Sequence, residues 1–354
     1  MIIPEIKYSP TTSPEQLVQT IQHWSLLGQI AITEINADAI DDVKHILRKL
    51  GGTVDILIEF DSLDPVGQLA MLNEGACRLI NRDPKSNSDG VPADRQIGLK
   101  ENPPLDQAVP PNTLIALDSP SASRISELEM ARIDCLVDIA HLSPELIADF
   151  FKTVLVTDRP DGLWATVIVD PIGIALGLAY SNYESLLHAI ETRCGTYWSR
   201  SRDGLWIKGE TSGATQQLLG IRMDCDRDCL RFTVTQDSPG FCHRKTHTCF
   251  GQERTIQSVV ERLQQRLKEA DESSFTHRLA NQPEMLEAKL LEEAKELSLA
   301  SQQSDQDEIA WEAADVLYFS LIAMLKNGVP LERVYAELAR RMNRVVRRDP
   351  GLKK

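Results

Sequence analysis

The cysteines of this chain are too few for a disulfide framework and too clustered to be scattered core residues. Seven occur in 354 residues, and five of them lie within 56 positions. These five are Cys194, Cys225, Cys229, Cys242 and Cys249. An odd, clustered set favours thiolate ligands over disulfide bridges. Cys225, Cys242 and Cys249 would give a Zn²⁺ ion three ligands and leave a fourth position for water, as in catalytic zinc sites. We expect Cys194 and Cys229 to be buried apolar side chains.

Two histidines lie between the last two of these cysteines. His243 and His247 occur in the run from Cys242 to Cys249. Imidazole is both a zinc ligand and a general base, so either histidine could complete the metal site or move a proton. The residues alone leave both roles open.

An acidic run places three carboxylates at alternate positions around one of the cysteines. Asp224, Asp226 and Asp228 offer the hard oxygen ligands that Mg²⁺ prefers. Alternating apolar residues on both sides of the run predict two strands joined by a hairpin turn near Arg227. In an extended run the aspartates and Cys225 would face opposite ways and serve two different metals. A solvated acidic turn is the alternative.

Two polar runs earlier in the chain carry groups that bind phosphate. Arg200 and Arg202 place two guanidinium groups close together, and arginine binds phosphate in a bidentate manner. The second run, Lys208 to Gly213, offers a cation, hydroxyl groups and flexible backbone amides. Its candidate contacts are Lys208, Glu210, Thr211 and Ser212. Ordinary exposed surface is the alternative for both runs.

A second set of carboxylates lies on the predicted C-terminal helices. Spacings of three and four residues bring carboxylates together on one helix face, and two facing helices would combine their sets. The set comprises Glu292, Glu293 and Glu296 on one helix, and Glu312 and Asp315 on the next. Such a cluster repels itself without cations, so a divalent metal is its natural occupant. The alternative is a solvated acidic face paired with Lys289 and Lys295.

The elements that position these residues divide the chain into three segments. Residues 1–150 alternate strand-like and helix-like runs, among them a helix-like run over residues 66–80. This pattern predicts an α/β domain with a long polar loop over residues 81–111. Residues 151–251 contain six strand-like runs and one helix, which predicts a mainly-β α+β domain. Residues 252–354 read as four amphipathic helices, which predicts an all-α helical bundle.

Charge and hydropathy exclude several classes of protein. The net charge is −14, and residues 1–150 contribute −12 of it through 23 acidic against 11 basic residues. That balance argues against a nucleic-acid partner. No apolar run reaches the roughly 18 to 20 residues of a membrane span, and the start does not resemble a signal peptide. We therefore expect a cytoplasmic protein without a membrane partner.

The central segment resembles phosphoribosyl-AMP cyclohydrolase. The runs DGLW, LGLAYSN, YWSRSR, LWIKGETSG, DCDRD, GFCH and TCF occur in that family's order between about residues 159 and 251. The resemblance implies a zinc- and magnesium-dependent dimer that opens the adenine ring of phosphoribosyl-AMP. It implies that the three cysteines bind zinc across the dimer interface and the three aspartates bind magnesium. It further implies that His243 is the acid/base and that the two polar runs contact phosphate and ribose.

The C-terminal segment resembles the all-α nucleotide pyrophosphohydrolases, and more narrowly phosphoribosyl-ATP pyrophosphohydrolase. SFTHRL, KLLEEAKEL and WEAADVLYF carry the resemblance over about residues 259–347. It implies that Mg²⁺ on the carboxylates neutralises a triphosphate, with Glu293 and Glu296 at the catalytic centre. Cationic candidates for phosphate binding are Arg278, Lys289, Arg340, Arg341, Arg344, Arg347 and Arg348. For the last five, favourable charge at a helix C-terminus is an equal alternative.

The two resemblances describe consecutive reactions of histidine biosynthesis, because the pyrophosphohydrolase makes the cyclohydrolase's substrate. A fusion of both behind an N-terminal extension resembles the multifunctional eukaryotic histidine-biosynthesis proteins. The sequence therefore predicts a bifunctional hydrolase that uses Zn²⁺ and Mg²⁺ and forms a homodimer. Two alternatives stay open: a general nucleoside-triphosphate pyrophosphatase in the helical segment, and a non-catalytic binding or oligomerisation role for residues 1–150.

Overall fold

The structure, a computed structural model, describes residues 1–59, 64–82, 90–103, 109–237, 240–251, 254–269 and 274–345. The chain forms two compact units, one of Met1–Phe250 with Ala336–Lys354 and one of Gly251–Tyr335. Within the described ranges, no helix combines the length and apolar character that crossing a bilayer requires. The three-segment division with boundaries near residues 150 and 251 stays a prediction.

The N-terminal region is a closed barrel of parallel strands. Each strand pairs with the next along the chain, and the last pairs with the first, Ile2 opposite Cys135. The strands are β1 Ile2–Lys7, β2 Gln29–Thr33, β3 Asp55–Glu59, β4 Arg78–Asn81, β5 Gln96–Glu101, β6 Thr113–Ala116 and β7 Cys135–Asp138. The helices between and after them are α1 Pro14–Trp24, α2 Ile40–Leu50, α3 Pro65–Glu74, α4 Ala122–Met130 and α5 Pro144–Val154. Strands and helices alternate in this region as the sequence predicts, and the closure of the barrel is new.

Alternation along the strands separates the inside of the barrel from its outer layer. One apolar cluster draws residues from all seven strands and none from the helices, among them Ile3, Leu57 and Leu136. Neighbouring strand residues such as Ile32 and Ile58 pack instead with helix residues. Because successive strand side chains point to opposite faces, the first cluster fills the barrel interior.

Two local expectations for this region are wrong. The predicted polar loop over residues 81–111 contains β5, a short strand surrounded by turn-forming residues that hide its alternation. A predicted helix over residues 66–80 ends at Glu74 and is followed by β4. Gly75 ends the helix with a φ of +129°, a conformation that side chains disfavour. A Cβ at Gly75 would also lie 2.8 Å from the side chain of Arg340.

The central region is rich in β-structure, as predicted. All six strand-like runs form strands: β8 Trp164–Val169, β9 Ala175–Ser181, β10 Thr196–Ser199, β11 Gly204–Ile207, β12 Gln216–Met223 and β13 Cys229–Gln236. Four of them form one sheet in the order β12-β13-β8-β9, and β10 pairs with β11 in a separate hairpin. Helix α6, Tyr183–Thr192, is the predicted helix. The hairpin predicted near Arg227 joins β12 to β13.

The C-terminal region is helical. Its described helices are α7 Ile256–Glu269, α8 Phe275–Asn281, α9 Pro283–Gln303, α10 Gln306–Lys326 and α11 Leu331–Met342. Four match the predicted amphipathic helices, and the short α8 is additional. The division between the two compact units falls within α11, after Tyr335.

Candidate functional sites

The turn between β12 and β13 brings the three aspartates together. One carboxylate oxygen from each of Asp224, Asp226 and Asp228 lies within 4.8 Å of the others, and all three residues are exposed. Asp224 holds the turn because its Oδ1 accepts hydrogen bonds from the backbone N–H groups of Asp228, at 3.0 Å, and Cys229, at 3.1 Å. The hydrogen bond to Asp224 and the two neighbouring negative charges raise the pKa of Asp228. A divalent cation would relieve that repulsion.

Two of the three predicted zinc ligands are adjacent. The thiols of Cys242 and Cys249 are in hydrogen-bonding contact, with Cys242 buried and Cys249 exposed. The backbone N–H of Arg244, with its nitrogen 3.5 Å from Sγ, lowers the pKa of Cys242 and favours its thiolate. Partial desolvation and the neighbouring Cys242 raise the pKa of Cys249. The lowered pKa of Cys242 therefore favours the thiolate that a metal binds. The raised pKa of Cys249 favours its thiol until a metal displaces the proton.

The third predicted ligand lies elsewhere on the chain. Cys225 is exposed in the acidic turn, and no three-residue ligand group in the described ranges contains it. Within the part of the chain that the structure describes, one copy brings two of the three predicted cysteine ligands together. Cys194 and Cys229 are half-buried, so the expectation that they are buried is only partly met.

The two histidines occupy different surroundings. His243 is exposed, and its Nδ1 lies 3.9 Å from Sγ of Cys242. Nε2 of His247 lies 3.3 Å from Oδ2 of Asp170, which is itself buried. His243 is therefore the histidine beside the thiol and open to solvent, whereas one ring nitrogen of His247 faces a carboxylate.

Lys208 connects one polar run to the cysteine loop. Its Nζ donates a hydrogen bond of 2.5 Å to the carbonyl of Phe241, and its side chain is buried. Burial lowers the pKa of Lys208, and the nearby Cys249 and Cys242 partly oppose this. Gly209 follows with a φ of +89°, and a Cβ there would lie 2.4 Å from the backbone nitrogen of Thr215. Only glycine fits this turn without strain.

The remaining residues of the polar runs are exposed. Glu210, Thr211 and Ser212 lie in the turn that follows Gly209. Arg200 stacks on the ring of Tyr180, with its guanidinium carbon 4.1 Å from the ring centre. Arg202 donates a hydrogen bond of 3.3 Å to the hydroxyl of Ser199. The sequence analysis did not single out Tyr180, although it is the aromatic residue of the LGLAYSN run.

Facing positions on α9 and α10 form the second carboxylate group. Oxygens of Glu293, Glu296 and Glu312 lie within 4.8 Å of one another, and Glu293 and Glu312 are buried. Oε2 of Glu312 is buried without a hydrogen-bond partner among the described residues. Desolvation first, then the charges of Glu296 and Glu293, raise the pKa of Glu312. An unpaired buried carboxylate oxygen beside two more carboxylates is a donor set that suits a divalent cation.

The other acidic candidates on these helices lie around that group. Glu292 is exposed and pairs with Lys289, whose Nζ is 2.7 Å from it and 3.5 Å from Glu293. Asp315 is half-buried and contributes to the electrostatic field at Glu312. Arg278 is exposed, with its guanidinium carbon 5.8 Å from the ring centre of Phe275.

The basic run near the C-terminus is engaged within the chain. Arg340 and Arg341 both pair with Glu337, at 2.7 Å. Arg340 also donates a hydrogen bond of 3.0 Å to the carbonyl of Glu74 on the barrel. Nε of Arg344 is buried without a hydrogen-bond partner among the described residues. The last two arginines of the predicted set, residues 347 and 348, lie outside the described residues.

Comparison with known proteins assigns a family to each of the two regions that carry these groups. Residues 177–251 match the sequence model named phosphoribosyl-AMP cyclohydrolase, and residues 256–342 match the one named phosphoribosyl-ATP pyrophosphohydrolase. The acidic turn and the cysteine pair fall within the first range. The carboxylate group on α9 and α10 falls within the second.

Relatives carry both regions in one chain. The histidine biosynthesis trifunctional protein of Saccharomyces cerevisiae is 44% identical over 221 residues, which is 62% of this chain and 27% of that protein. The histidine biosynthesis bifunctional protein his7 of Schizosaccharomyces pombe is 42% identical over 207 residues, 58% of this chain and 49% of that protein. This chain thus spans about a quarter of the length of its trifunctional relatives.

A shorter relative is matched almost completely. The histidine biosynthesis bifunctional protein HisIE of Bacillus subtilis is 36% identical over 197 residues, which is 52% of this chain and 94% of that protein. Nearly the whole of that protein therefore has a counterpart here, in a chain that carries a barrel as well. The chain belongs to the family of bifunctional histidine-biosynthesis proteins that contain a cyclohydrolase and a pyrophosphohydrolase region.

Proposed function

We propose that the chain is a cytoplasmic bifunctional hydrolase of histidine biosynthesis. Its helical region hydrolyses phosphoribosyl-ATP to phosphoribosyl-AMP and pyrophosphate, and its central region then opens the adenine ring of phosphoribosyl-AMP by hydrolysis. The observation that carries the proposal is that each of the two matched ranges contains one converged carboxylate group. Two hydrolytic centres in one chain are thereby supported.

For ring opening, the donor set of the cysteine pair fits Zn²⁺. Cys242 and Cys249 would hold it, and Cys225 from a second copy of the chain would complete the set. Bound zinc supplies an activated water near neutral pH. His243, exposed beside Cys242, would take up and return the proton that the reaction moves.

The acidic turn and the polar runs would hold the rest of that substrate. Asp224, Asp226 and Asp228 fit Mg²⁺ because all three are carboxylates within one cation's reach. The proposed phosphate and ribose contacts are Arg200, Arg202, Lys208, Glu210, Thr211 and Ser212. Lys208 contributes through position as well, since its bond to Phe241 fixes the loop that carries Cys242.

For the pyrophosphohydrolase reaction, the carboxylates on α9 and α10 fit Mg²⁺. Glu293, Glu296 and Glu312 would hold it, with Glu292 and Asp315 at the margin. The ion supplies charge neutralisation for the triphosphate. Glu293 and Glu296 would orient the attacking water as catalytic residues. The cations Lys289 and Arg278 would bind the phosphate oxygens.

We also propose a homodimer. Cys225 needs a partner that one chain does not supply, and large apolar side chains on the helical region are uncovered. Trp311 is 71% exposed, Leu291 66% and Leu317 56%. A second copy of the chain would cover exposed apolar side chains of this kind.

The first test follows both reactions in a single incubation. The protein with phosphoribosyl-ATP, Zn²⁺ and Mg²⁺ should release pyrophosphate and then the ring-opened product, and chelation should stop both. The Cys242→Ser variant should lose bound zinc and ring opening but keep pyrophosphate release. The Cys194→Ser variant is the matched control, because that thiol donates a hydrogen bond of 3.6 Å to the backbone carbonyl of Thr192, away from the cysteine pair. Ring opening by Cys242→Ser would refute the zinc assignment.

A second test addresses the shared site. Cys225→Ser and Cys242→Ser should each be inactive in ring opening. Mixed and allowed to exchange subunits, they form heterodimers with one intact site, which restores about one quarter of wild-type activity for random pairing in a twofold dimer. Restoration requires Cys225 and Cys242 to act from different chains. No restoration in a mixture shown to exchange subunits would place all three ligands in one chain.

A further inference from the structure

The cysteine loop, residues 241–249, carries the two adjacent thiols in a segment that contains neither helix nor strand. Its first part is a tight hairpin. The backbone N–H of Phe241 donates to the carbonyl of His247 at 3.3 Å, and that of Cys242 donates to the carbonyl of Thr246 at 3.1 Å. Because no regular secondary structure fixes this loop, the placement of its thiols depends on the contacts that hold the hairpin on the sheet.

Contacts at both ends connect the cysteine loop to its surroundings. At its beginning, Lys208 donates the hydrogen bond to the backbone that is described above. At its end, the backbone N–H of Cys249 donates to the carbonyl of Leu176 on β9 at 2.8 Å. At the base of the hairpin the contact is between side chains, with Nε2 of His247 3.3 Å from Oδ2 of Asp170. That contact joins the loop to the end of β8.

The two oxygens of Asp170 have separate partners. Oδ1 accepts hydrogen bonds from the backbone N–H groups of Ile172, at 3.1 Å, and Ile174, at 2.8 Å, and so holds the turn between β8 and β9. Oδ2 is the oxygen that faces His247. Asp170 is only 6% exposed, and a buried carboxylate oxygen needs a donor. Since Oδ1 already holds the turn, the contact through Oδ2 acts on the cysteine loop.

The position of His247 bears on the role that the sequence leaves open for it. Among the described residues, no group of three ligand residues close enough to share an ion contains His247. A carboxylate accepts hydrogen bonds, so the Nε2 that faces Asp170 is the donor and carries a hydrogen. A ring nitrogen that carries a hydrogen does not bind a metal. The geometry therefore connects the ring to the sheet and not to the thiols.

We propose that Asp170 and His247 are positioning residues for the ring-opening reaction. Their contact fixes the base of the hairpin, so that Cys242 and Cys249 are held together before a metal binds. The inference rests on the proposed function, because it requires that these two thiols hold zinc. A loop that is ordered in advance loses less entropy on binding, and partners outside the ligand set commonly account for about 10- to 100-fold in metal affinity.

The affinity of the full chain for Zn²⁺ tests the proposal, measured against a competing chromophoric chelator with Mg²⁺ at saturation. His247→Leu should bind zinc about tenfold more weakly, the lower end of the range for such partners. His247→Gln should bind nearly as tightly as the wild type, because its amide nitrogen can donate to Asp170 from the place of Nε2. The matched control is His188→Leu on α6, which loses a hydrogen bond of 3.1 Å with Thr196 and should leave zinc affinity unchanged.

Two further readouts separate positioning from metal ligation. Co²⁺ in place of zinc gives an absorption spectrum that depends on the ligand set, and His247→Leu should leave that spectrum unchanged at saturating Co²⁺. In the metal-free full chain, the amides of residues 241–249 should exchange hydrogen faster in His247→Leu than in the wild type. Ring opening by this variant should fall at limiting zinc and recover at saturating zinc.

Three results would overturn the proposal. Zinc affinity equal to the wild type in His247→Leu would leave the pair without influence on the loop. Binding by His247→Gln as weak as in His247→Leu would exclude the hydrogen bond as the cause, and a changed Co²⁺ spectrum would make His247 a ligand. If His247→Leu does not melt cooperatively, His247→Asn, whose side chain is too short to reach Asp170, takes its place.

The Cys242→Ser variant keeps this inference separate from the proposed function. Zinc bound by Cys242→Ser as tightly as by the wild type would refute the zinc assignment itself. Loss of zinc in Cys242→Ser together with wild-type affinity in His247→Leu would refute the positioning role alone.

Discussion

Replacing Glu337 by glutamine tests how the C-terminal end of α11 is held on the barrel. Both oxygens of Glu337 accept hydrogen bonds from Arg340, at 2.7 and 2.9 Å, and one also accepts from Arg341. The Arg340 side chain is only 10% exposed and reaches the carbonyl of Glu74. Glutamine keeps the shape of the side chain but removes the charge that neutralises a buried guanidinium.

The size of the effect follows from the carboxyl group's pKa. Hydrogen bonds from Arg340, and then from Arg341, lower the pKa of Glu337 from its ordinary 4.5 to about 2. Such a change corresponds to about 3 kcal/mol at neutral pH. Because this side chain is 37% exposed, solvent screening reduces the expected contribution to about 1 kcal/mol. A lowered pKa stabilises the folded state above pH 4.5, and the contribution is lost as the pH falls towards 2.

Hydrogen exchange read by mass spectrometry measures this contribution locally. In Glu337→Gln, amides of residues 336–345 should exchange about fivefold faster at pH 7, since 1 kcal/mol is roughly that factor. The difference should shrink between pH 4.5 and 2. Glu332→Gln, earlier on the same helix, removes the same charge and should leave these amides unchanged. Equal protection in Glu337→Gln at pH 7, or a difference that persists at pH 2, would refute the reasoning.

Two further predictions concern buried polar groups in the other regions. Glu312→Gln should raise the melting temperature in the presence of chelator, because it removes one of three adjacent negative charges. The same variant should no longer be stabilised by Mg²⁺. A rise in melting temperature with Mg²⁺ equal to that of the wild type would contradict this prediction. Tyr197→Phe deletes a fully buried hydroxyl that donates to Oε1 of Gln216 at 2.7 Å. It should cost about 1–2 kcal/mol in urea unfolding, whereas the exposed control Tyr335→Phe should cost almost nothing.

The residues that converge through local structure were predictable from sequence. The hairpin at Arg227 follows from alternation on both sides of the acidic run, and it alone brings Asp224 and Asp228 together. Likewise, Glu293 and Glu296 meet because they are three residues apart on one helix. Glu312 joins them because consecutive helices pack side by side. In each case a short-range rule determines the geometry.

Contacts between distant positions were not predictable in this way. Closure of the barrel depends on the pairing of Ile2 with Cys135, and no local pattern specifies a partner more than a hundred residues away. Strand β5 was also missed, because its six residues lie in a stretch of turn-forming residues. The separation of Cys225 from Cys242 and Cys249 within one chain likewise follows from no local pattern, and only the family resemblance indicated ligands from two chains.

The acidic excess of residues 1–150 has a partial explanation in the barrel. A net charge does not distinguish a solvated carboxylate from a buried one. The solvated group keeps its hydration when the chain folds, whereas the lost hydration of the buried group must be compensated by partners. Most acidic residues of this segment are exposed, but Glu5 and Glu59 are buried together above an apolar interior that another aliphatic layer would extend. Arg82 forms ion pairs with both carboxylates, and its side chain is 43% exposed. Stability alone would favour an apolar layer at these positions, and the two acids are accommodated there because Arg82 pairs with both and the hydroxyl of Thr33 donates to Glu5.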